Sequence, residues 1–226
     1  MKPSVPSLLS FNGGYVDTVG YLALQGLFTA HVTGNFVTIG AALVFGTSGV
    51  VAKLLALPVF CSVIIVTRLV SCNLPARRPV LETMLTVKLI LLLVAAVLAI
   101  AMGPFADGDA ASAIIVGMTL VSAMAIQNAV HRIYLSSAPP TTLMTGTTTQ
   151  IMIDIADMIR GVPGNDRAAI RSRLRRMCIA VVSFAAGAAA GAILFHALGS
   201  GCFALPPVVA LLTRVAAKFS ATPAMG

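Results

Sequence analysis

Gly14 to Asn35 reads GYVDTVGYLALQGLFTAHVTGN, and this stretch decides how the chain folds. It opens as an apolar helix that carries Asp17, a residue costing on the order of 3 kcal/mol at the centre of a bilayer unless paired or hydrated. The helix pattern breaks at Phe28 to Val32 and restarts at Thr33-Gly34-Asn35, where a small polar cluster before an apolar run predicts a capped helix start. A similar break recurs 112 positions later, at Thr145-Gly146-Thr147.

The surrounding composition names the solvent. Of 226 residues, 58% are hydrophobic and 10% charged, with a mean hydropathy of +0.98. Soluble domains carry about a quarter charged residues, so this is an integral membrane protein. Lys and Arg number 15 against 7 acidic residues; in a membrane chain that excess orients loops. No basic stretch is interleaved with the aromatic or Gly-rich signature of a nucleic-acid reader, so no nucleic-acid partner is expected. Cys61, Cys72, Cys178 and Cys202 show no C-x-x-C spacing and read as small buried hydrophobes. Asn12, Gly13, Gly14 and Asp17 interrupt any signal-peptide core, so the first helix is expected to be retained.

Eight apolar segments follow, at about 8–28, 34–47, 50–72, 82–103, 110–132, 144–159, 175–198 and 201–219. The second has about 14 residues, roughly 20 Å of helix, where about 20 residues are needed to cross. The sixth is poor in apolar residues, and Asp154, Asp157 and Arg160 crowd its far end. Basic residues decide what these two do. If all eight segments cross, the Arg160–Arg176 run and Arg77-Arg78 fall on opposite faces; if the second and sixth dip in and return, both face the cytoplasm. Both termini then lie on the cytoplasmic side, and Lys53 alone of the basic residues is left near the outer face. The expected fold is an all-α membrane protein with six transmembrane helices and two short re-entrant half-helices. It forms one membrane domain of two inverted repeats of three spans, at about 8–104 and 110–219.

The other segments read as scaffold. Arg68 and Lys88 are near enough to the cytoplasmic end to snorkel, Gly187 and Gly191 form a small-residue packing face, and Pro206-Pro207 bends the eighth span or resets its start. Non-helical backbone at membrane depth needs protein or water around it, which implies a polar site at mid-membrane. Two helix starts there present unpaired N–H groups, an arrangement that favours an anion or a polar neutral solute. Gly34 and Gly146 would let the backbone approach the solute, and Thr33, Asn35, Thr145 and Thr147 would offer hydrogen bonds; equally, these are ordinary caps bonded to neighbouring helices. Asp17 is a coupling or substrate-contacting acid, or a structural partner of Asn12, Gln127 or Arg132. Gln127 and Asn128 lie at nearly the place in the fifth segment that Asp17 holds in the first, lining a polar path or gluing helices. His31 is a titratable group beside the break or a structural donor.

Asp154 and Asp157, three apart, are the best enzyme hint, as a Mg²⁺ pair for a phosphate-bearing lipid; the simpler reading is an ion-paired helix end with Arg160. No G-x-S-x-G, H-E-x-x-H or P-loop is present, and no His or Cys set has metal-ligand spacing. Neither catalysis, a cofactor nor a resident metal is expected. The block from Gly14 to Asn35 and the later AMAIQNAVHRIYLSSAPPTTLMTGTTTQI resemble the paired signatures of the YoaK-like family of bacterial integral membrane proteins, a domain of unknown function. The matching residues are Gly14, Asp17, Gly20, Phe28, His31, Thr33, Gly34, Asn35, Gln127, Asn128, Thr145 and Gly146; Ala125 stands where the family usually has Gly. The resemblance implies a bacterial inner-membrane location and brings no substrate. The function these residues suggest is a small-solute transporter or channel, proton-coupled through Asp17. The alternatives are a non-transporting accessory protein and a membrane enzyme. The partners expected are the bilayer and an unknown solute, with homo-oligomerisation open.

Overall fold

A computed structural model describes residues 4–73, 80–161 and 164–221. Among these residues there is no strand. Eight α-helices follow in order: α1 (Val5–Ala23), α2 (Asn35–Phe45), α3 (Val50–Asn73), α4 (Val80–Met102), α5 (Ala111–Tyr134), α6 (Met144–Arg160), α7 (Gly164–Leu198) and α8 (Leu205–Ala221). Single 3-10 segments precede α2 (Val32–Gly34) and α8 (Gly199–Ala204). Four stretches are long and apolar enough to cross a membrane: Val50–Asn73, Val80–Met102, Ala111–Tyr134 and the continuous run Asp166–Phe219. Large apolar side chains cover the outside of the bundle, with Val37 76% and Ile159 81% exposed. A water-soluble protein does not present such a surface, so the protein is a membrane protein.

Both ends of the bundle can be read from its bonds. At one end Asp109 caps α3, its carboxylate accepting from the N–H groups of Gly49 (3.0 Å), Val50 (3.1 Å) and Ala52 (3.1 Å). An acid at this place satisfies the orphan donors of a first turn and faces the positive end of the helix dipole. Ser48 Oγ accepts from Gly108 N, and Gln25 Nε2 donates to Phe105 O. The segments after α1, before α3 and between α4 and α5 therefore gather together. At the other end Val5, Leu9, Leu85 and Ala217 pack with Leu81 and Leu135. The starts of α1 and α4 meet the ends of α5 and α8 there. Lys53 lies at the first end and is buried, its Nζ 3.4 Å from Ser48 O. Arg77 and Arg78 lie outside the described residues.

The main packing pairs are α1 with α7, α3 with α5, α4 with α5, α4 with α8 and α1 with α8; α2 rests on α3, and α6 on α7. The α1–α7 crossing is close because each helix places glycine at the seam. A Cβ on Gly14 would overlap the Phe184 carbonyl, and one on Gly187 would overlap that of Phe11. Gly187 and Gly191 thus form an intramolecular packing face, as the sequence suggested, with Gly14 as its partner. Beside this seam Tyr15, wholly buried, donates from its hydroxyl to Cys202 O at 2.8 Å.

Four sequence expectations need correcting here. Cys61, Cys72 and Cys178 are exposed on the bundle and only Cys202 is buried, because an apolar residue in a membrane helix can equally face lipid. Lys88 does not snorkel: it is 1% exposed and donates to Gln127 Oε1 at 2.5 Å. Packing around both helix ends closes its route outwards. The first helix ends at Ala23, not near 28. Finally, α7 begins at Gly164 and continues through the arginines, so its 35 residues span about 52 Å. Pro206 and Pro207 sit in the first turn of α8, which resets its start.

The arginine-rich half of α7 holds α6. Asp154, wholly buried, accepts from Arg173 Nε (2.9 Å) and Nη2 (2.6 Å) and from Gln150 Nε2 (2.8 Å). The helix end is ion-paired, through Arg173 on Asp154. That carboxylate, the first of the two acids in the enzyme reading, accepts three hydrogen bonds. Replacing Arg173 with Ala should cost about 1 kcal/mol, below a fully buried pair because the guanidinium is half in solvent. Adding Asp154→Asn to that variant should recover part of the loss in a thermal melt.

Candidate functional site

Between α1 and α2 eight residues, 24–31, run without helix, and the side chains of Asp17 and Asn35 hold their main chain. Asp17 is 6% exposed, and its Oδ1 accepts from the N–H groups of Thr29 and Ala30, both at 2.8 Å. Its partners are loop amides, not Asn12, Gln127 or Arg132. A carboxylate does this well because ionised acceptors make hydrogen bonds roughly twice as strong as neutral ones. Gly20 makes room for the loop, since a Cβ there would lie 2.8 Å from Thr29 Cγ2. Asn35 then clamps the other side: its Oδ1 accepts from Phe28 N (2.8 Å) and its Nδ2 donates to Phe28 O (2.9 Å). A primary amide has one acceptor and two donors, so it can pair both ways with a single residue's backbone.

The capped starts are therefore built differently from the sequence expectation. No side chain caps α2, whose N-cap is Gly34, and Thr33 is exposed. A Cβ on Gly34 would meet the Phe28 ring at 3.0 Å, so this glycine makes room for Phe28 rather than for a solute. The N-cap of α6 is Leu143, again without a side-chain cap, and Thr145, Gly146 and Thr147 lie inside its first turn. Thr145 and Gly146 are exposed, and Thr147 is buried with its hydroxyl 3.4 Å from Leu143 O. Nothing stands within 4 Å of a Cβ on Gly146.

The loop after α5 is tied in the same style. Asn128 Oδ1 accepts from Thr142 Oγ1 at 2.7 Å, and Gln127 Nε2 donates to Thr141 Oγ1 (3.1 Å) and Leu9 O (2.9 Å). With Lys88 on its Oε1, Gln127 is a buried joint between α1, α4, α5 and this loop. Asn128 is half-buried and faces a cavity. His131, buried, has Nε2 3.1 Å from Ala138 O.

Two cavities flank these loops. One, of about 380 Å³, lies between α3 and α5 and reaches both breaks: Ala30, His31, Val32 and Thr33 line it from the first, Leu143 from the second. Phe60, Ile64 and Arg68 on α3 and Asn128 and Arg132 on α5 border it. The other, of about 300 Å³, is lined by Asp17, Thr18, Tyr21 and Leu22 on α1, Phe28 and His31 in the loop, and Phe184 on α7. His31 borders both, and its ring stands 6.1 Å from that of Phe28. The α1 positions 17, 18, 21 and 22 recur 111 residues later as 128, 129, 132 and 133 in the larger cavity. His31 and Leu143 correspond with one residue more between them.

Of the ten residues singled out from sequence, Asp17, His31, Thr33 and Asn128 line a cavity. Asn35 and Gln127 fasten the loops, and Gly34, Thr145, Gly146 and Thr147 border neither cavity. The sequence reading missed Arg132 and Arg68 as lining residues, together with Tyr21 and Phe184. The 111-residue register was the signal for Arg132, because it sets that residue against Tyr21. Among the described residues no group of three His, Cys, Asp or Glu side chains could hold a metal.

Neither a curated protein nor a solved structure matches this chain. A family model described as a protein of unknown function, DUF1275, matches residues 5–216. The YoaK-like proteins that the two signature blocks resemble are part of that family. With the match running from the first turn of α1 into the last turns of α8, the chain belongs to the DUF1275 family.

Proposed function

We propose that the protein is a small-solute permease or channel of a bacterial inner membrane. Its path joins the two cavities past His31. In this reading α1, α3, α4, α5, α7 and α8 are the six spans and α2 and α6 re-enter without crossing. Residues up to α4 form one repeat and those from α5 the inverted second. The observation that carries the proposal is the matched pair of cavities meeting at one histidine, with both interrupted segments at their edges. Ligand sites at broken helices between inverted repeats are a recurring solution to transport.

The packing supports the repeat. Exchanging α1–α4 with α5–α8 turns the α1–α7 pair into α5–α3, α4–α5 into α8–α1, and α2–α3 into α6–α7, and each of these pairs is in contact. Asp17 lies six residues before Ala23 and Asn128 six before Tyr134, and each binds the loop that follows its own helix. Asp17 acts here as a gating acid: protonation weakens its hold on the Thr29 and Ala30 amides and frees the segment that carries His31. Both termini are cytoplasmic in this arrangement.

The competing reading is an accessory protein whose polar side chains only join helices, and the bonding of Asn35 and Gln127 favours it. Labelling separates the two. In a background lacking the four native cysteines, Thr33→Cys and Ala129→Cys should both react with a membrane-impermeant thiol reagent. Silence at both would leave a dry, structural joint.

A further inference from the structure

We propose that the α3–α5 cavity takes an organic anion with an apolar body, its acidic head held between Arg68 and Arg132 and its chain laid against Phe60 and Ile64. This deepens the permease reading and rests on it. Arg68 comes from α3 and Arg132 from α5, so two separate helices bring guanidinium groups to one space. Asn128 and His31 line the cavity beside them. No acidic side chain lines the cavity, and the Arg173–Asp154 ion pair is elsewhere. A cation would be repelled there, and a neutral solute would leave both guanidinium groups without a counter-charge.

The remaining wall is apolar, made by Phe60, Ile64, Val32, Ile133 and Leu143. A small inorganic anion would leave that wall wetted or empty. Two arginines and a hydrocarbon wall in one cavity match the two halves of an amphiphile, and guanidinium binds carboxylate or phosphate through paired N–H donors. A volume of about 380 Å³ is at the small end of the range for ligand pockets, about 300–1,000 Å³. It suits one short chain rather than a two-chain lipid. The equivalent α1 cavity has Tyr21 in the place of Arg132 and Asp17 in that of Asn128, so its chemistry does not favour the same head group.

The test is binding of radiolabelled octanoate to the purified full-length protein in phosphatidylcholine nanodiscs. Saturable binding is expected, displaced by unlabelled octanoate but not by octylammonium or octanol. Arg132→Gln and Arg68→Gln should each weaken it about tenfold or more, with Arg132→Lys closer to the parent, since a point charge replaces part of the guanidinium. Both arginines are exposed, so these variants keep the bundle intact. Equal displacement by octanol, or unchanged affinity in both Gln variants, overturns the proposal. So does octanoate binding that vanishes in phosphatidylglycerol nanodiscs, which would assign the arginines to a lipid head group. If the Thr33→Cys and Ala129→Cys variants label but octanoate does not bind, the ligand class is wrong and the path stands; if neither variant labels, the path itself falls.

Discussion

Gly187→Ala should unfold the protein at a markedly lower temperature, with a loss of about 3 kcal/mol, the upper part of the range for overpacking. The added methyl meets main chain, not a side chain that can rotate away. A Cβ there would overlap the Phe11 carbonyl and stand 3.0 Å from Tyr15 N, so α1 as a whole must move off α7. That displacement reaches Tyr15, whose hydroxyl bond to Cys202 O secures the segment before α8. Gly40→Ala is the matched control: nothing lies within 4 Å of its Cβ, and Ala is favoured over Gly in a helix by up to about 1 kcal/mol. The chain has no tryptophan, but Cys202 is a buried thiol. Its reaction with a fluorogenic maleimide during heating, with the other three cysteines replaced, reports unfolding. Equal melting of Gly187→Ala and Gly40→Ala would mean that α1 and α7 have room to part.

Asp17→Ala should have the second large effect. It leaves the Thr29 and Ala30 amides without their acceptor, and an orphaned buried N–H costs about 1–3 kcal/mol. A combined loss of about 2–5 kcal/mol follows if no other group replaces the carboxylate. The loop would then hang from Asn35, from Gln25 on Phe105 O and from the Thr29 hydroxyl on Val16 O. Asp17→Asn keeps an oxygen in place and should cost less than half as much, since only the charge assistance is lost. In proteoliposomes that folded Asn variant should lose any dependence of uptake on a proton gradient. Proton-dependent uptake at the parental rate would take Asp17 out of the gating step.

The order and kind of the elements were legible because hydropathy and helix breakers act locally. The third segment, expected at 50–72, is helical over Val50–Asn73, and the sixth, expected at 144–159, over Met144–Arg160. What failed was anything decided by a distant partner. Lys88 looked free to reach the interface because its neighbours in sequence are apolar; its environment is set by α5 and α8, which cover that face. The sequence offers Arg160, on the same helix, as the cation for the Asp154–Asp157 pair, whereas Arg173 reaches Asp154 from a helix whose first turns read as loop. Polar sequence does not end a helix when Ala, Arg and Leu, all good helix formers, supply the run. The caps failed for another reason. A loop packed inside protein can take its bonds from Asp17 and Asn35, and it does not need the hydroxyl of Thr33.

The two short helices are not anchored alike. Asp154 and Arg173 bolt α6 to α7, whereas α2 buries only Asn35 and Ala42 and rests on α3. Fastening is therefore lopsided: among the described residues, a swing of the Val32–Phe45 arm about the Phe28–Asn35 clasp breaks no ion pair, whereas moving α6 off α7 breaks one. In the proposed permease such a swing would carry the neighbouring imidazole with it and hang the partition between the two cavities on the looser hinge.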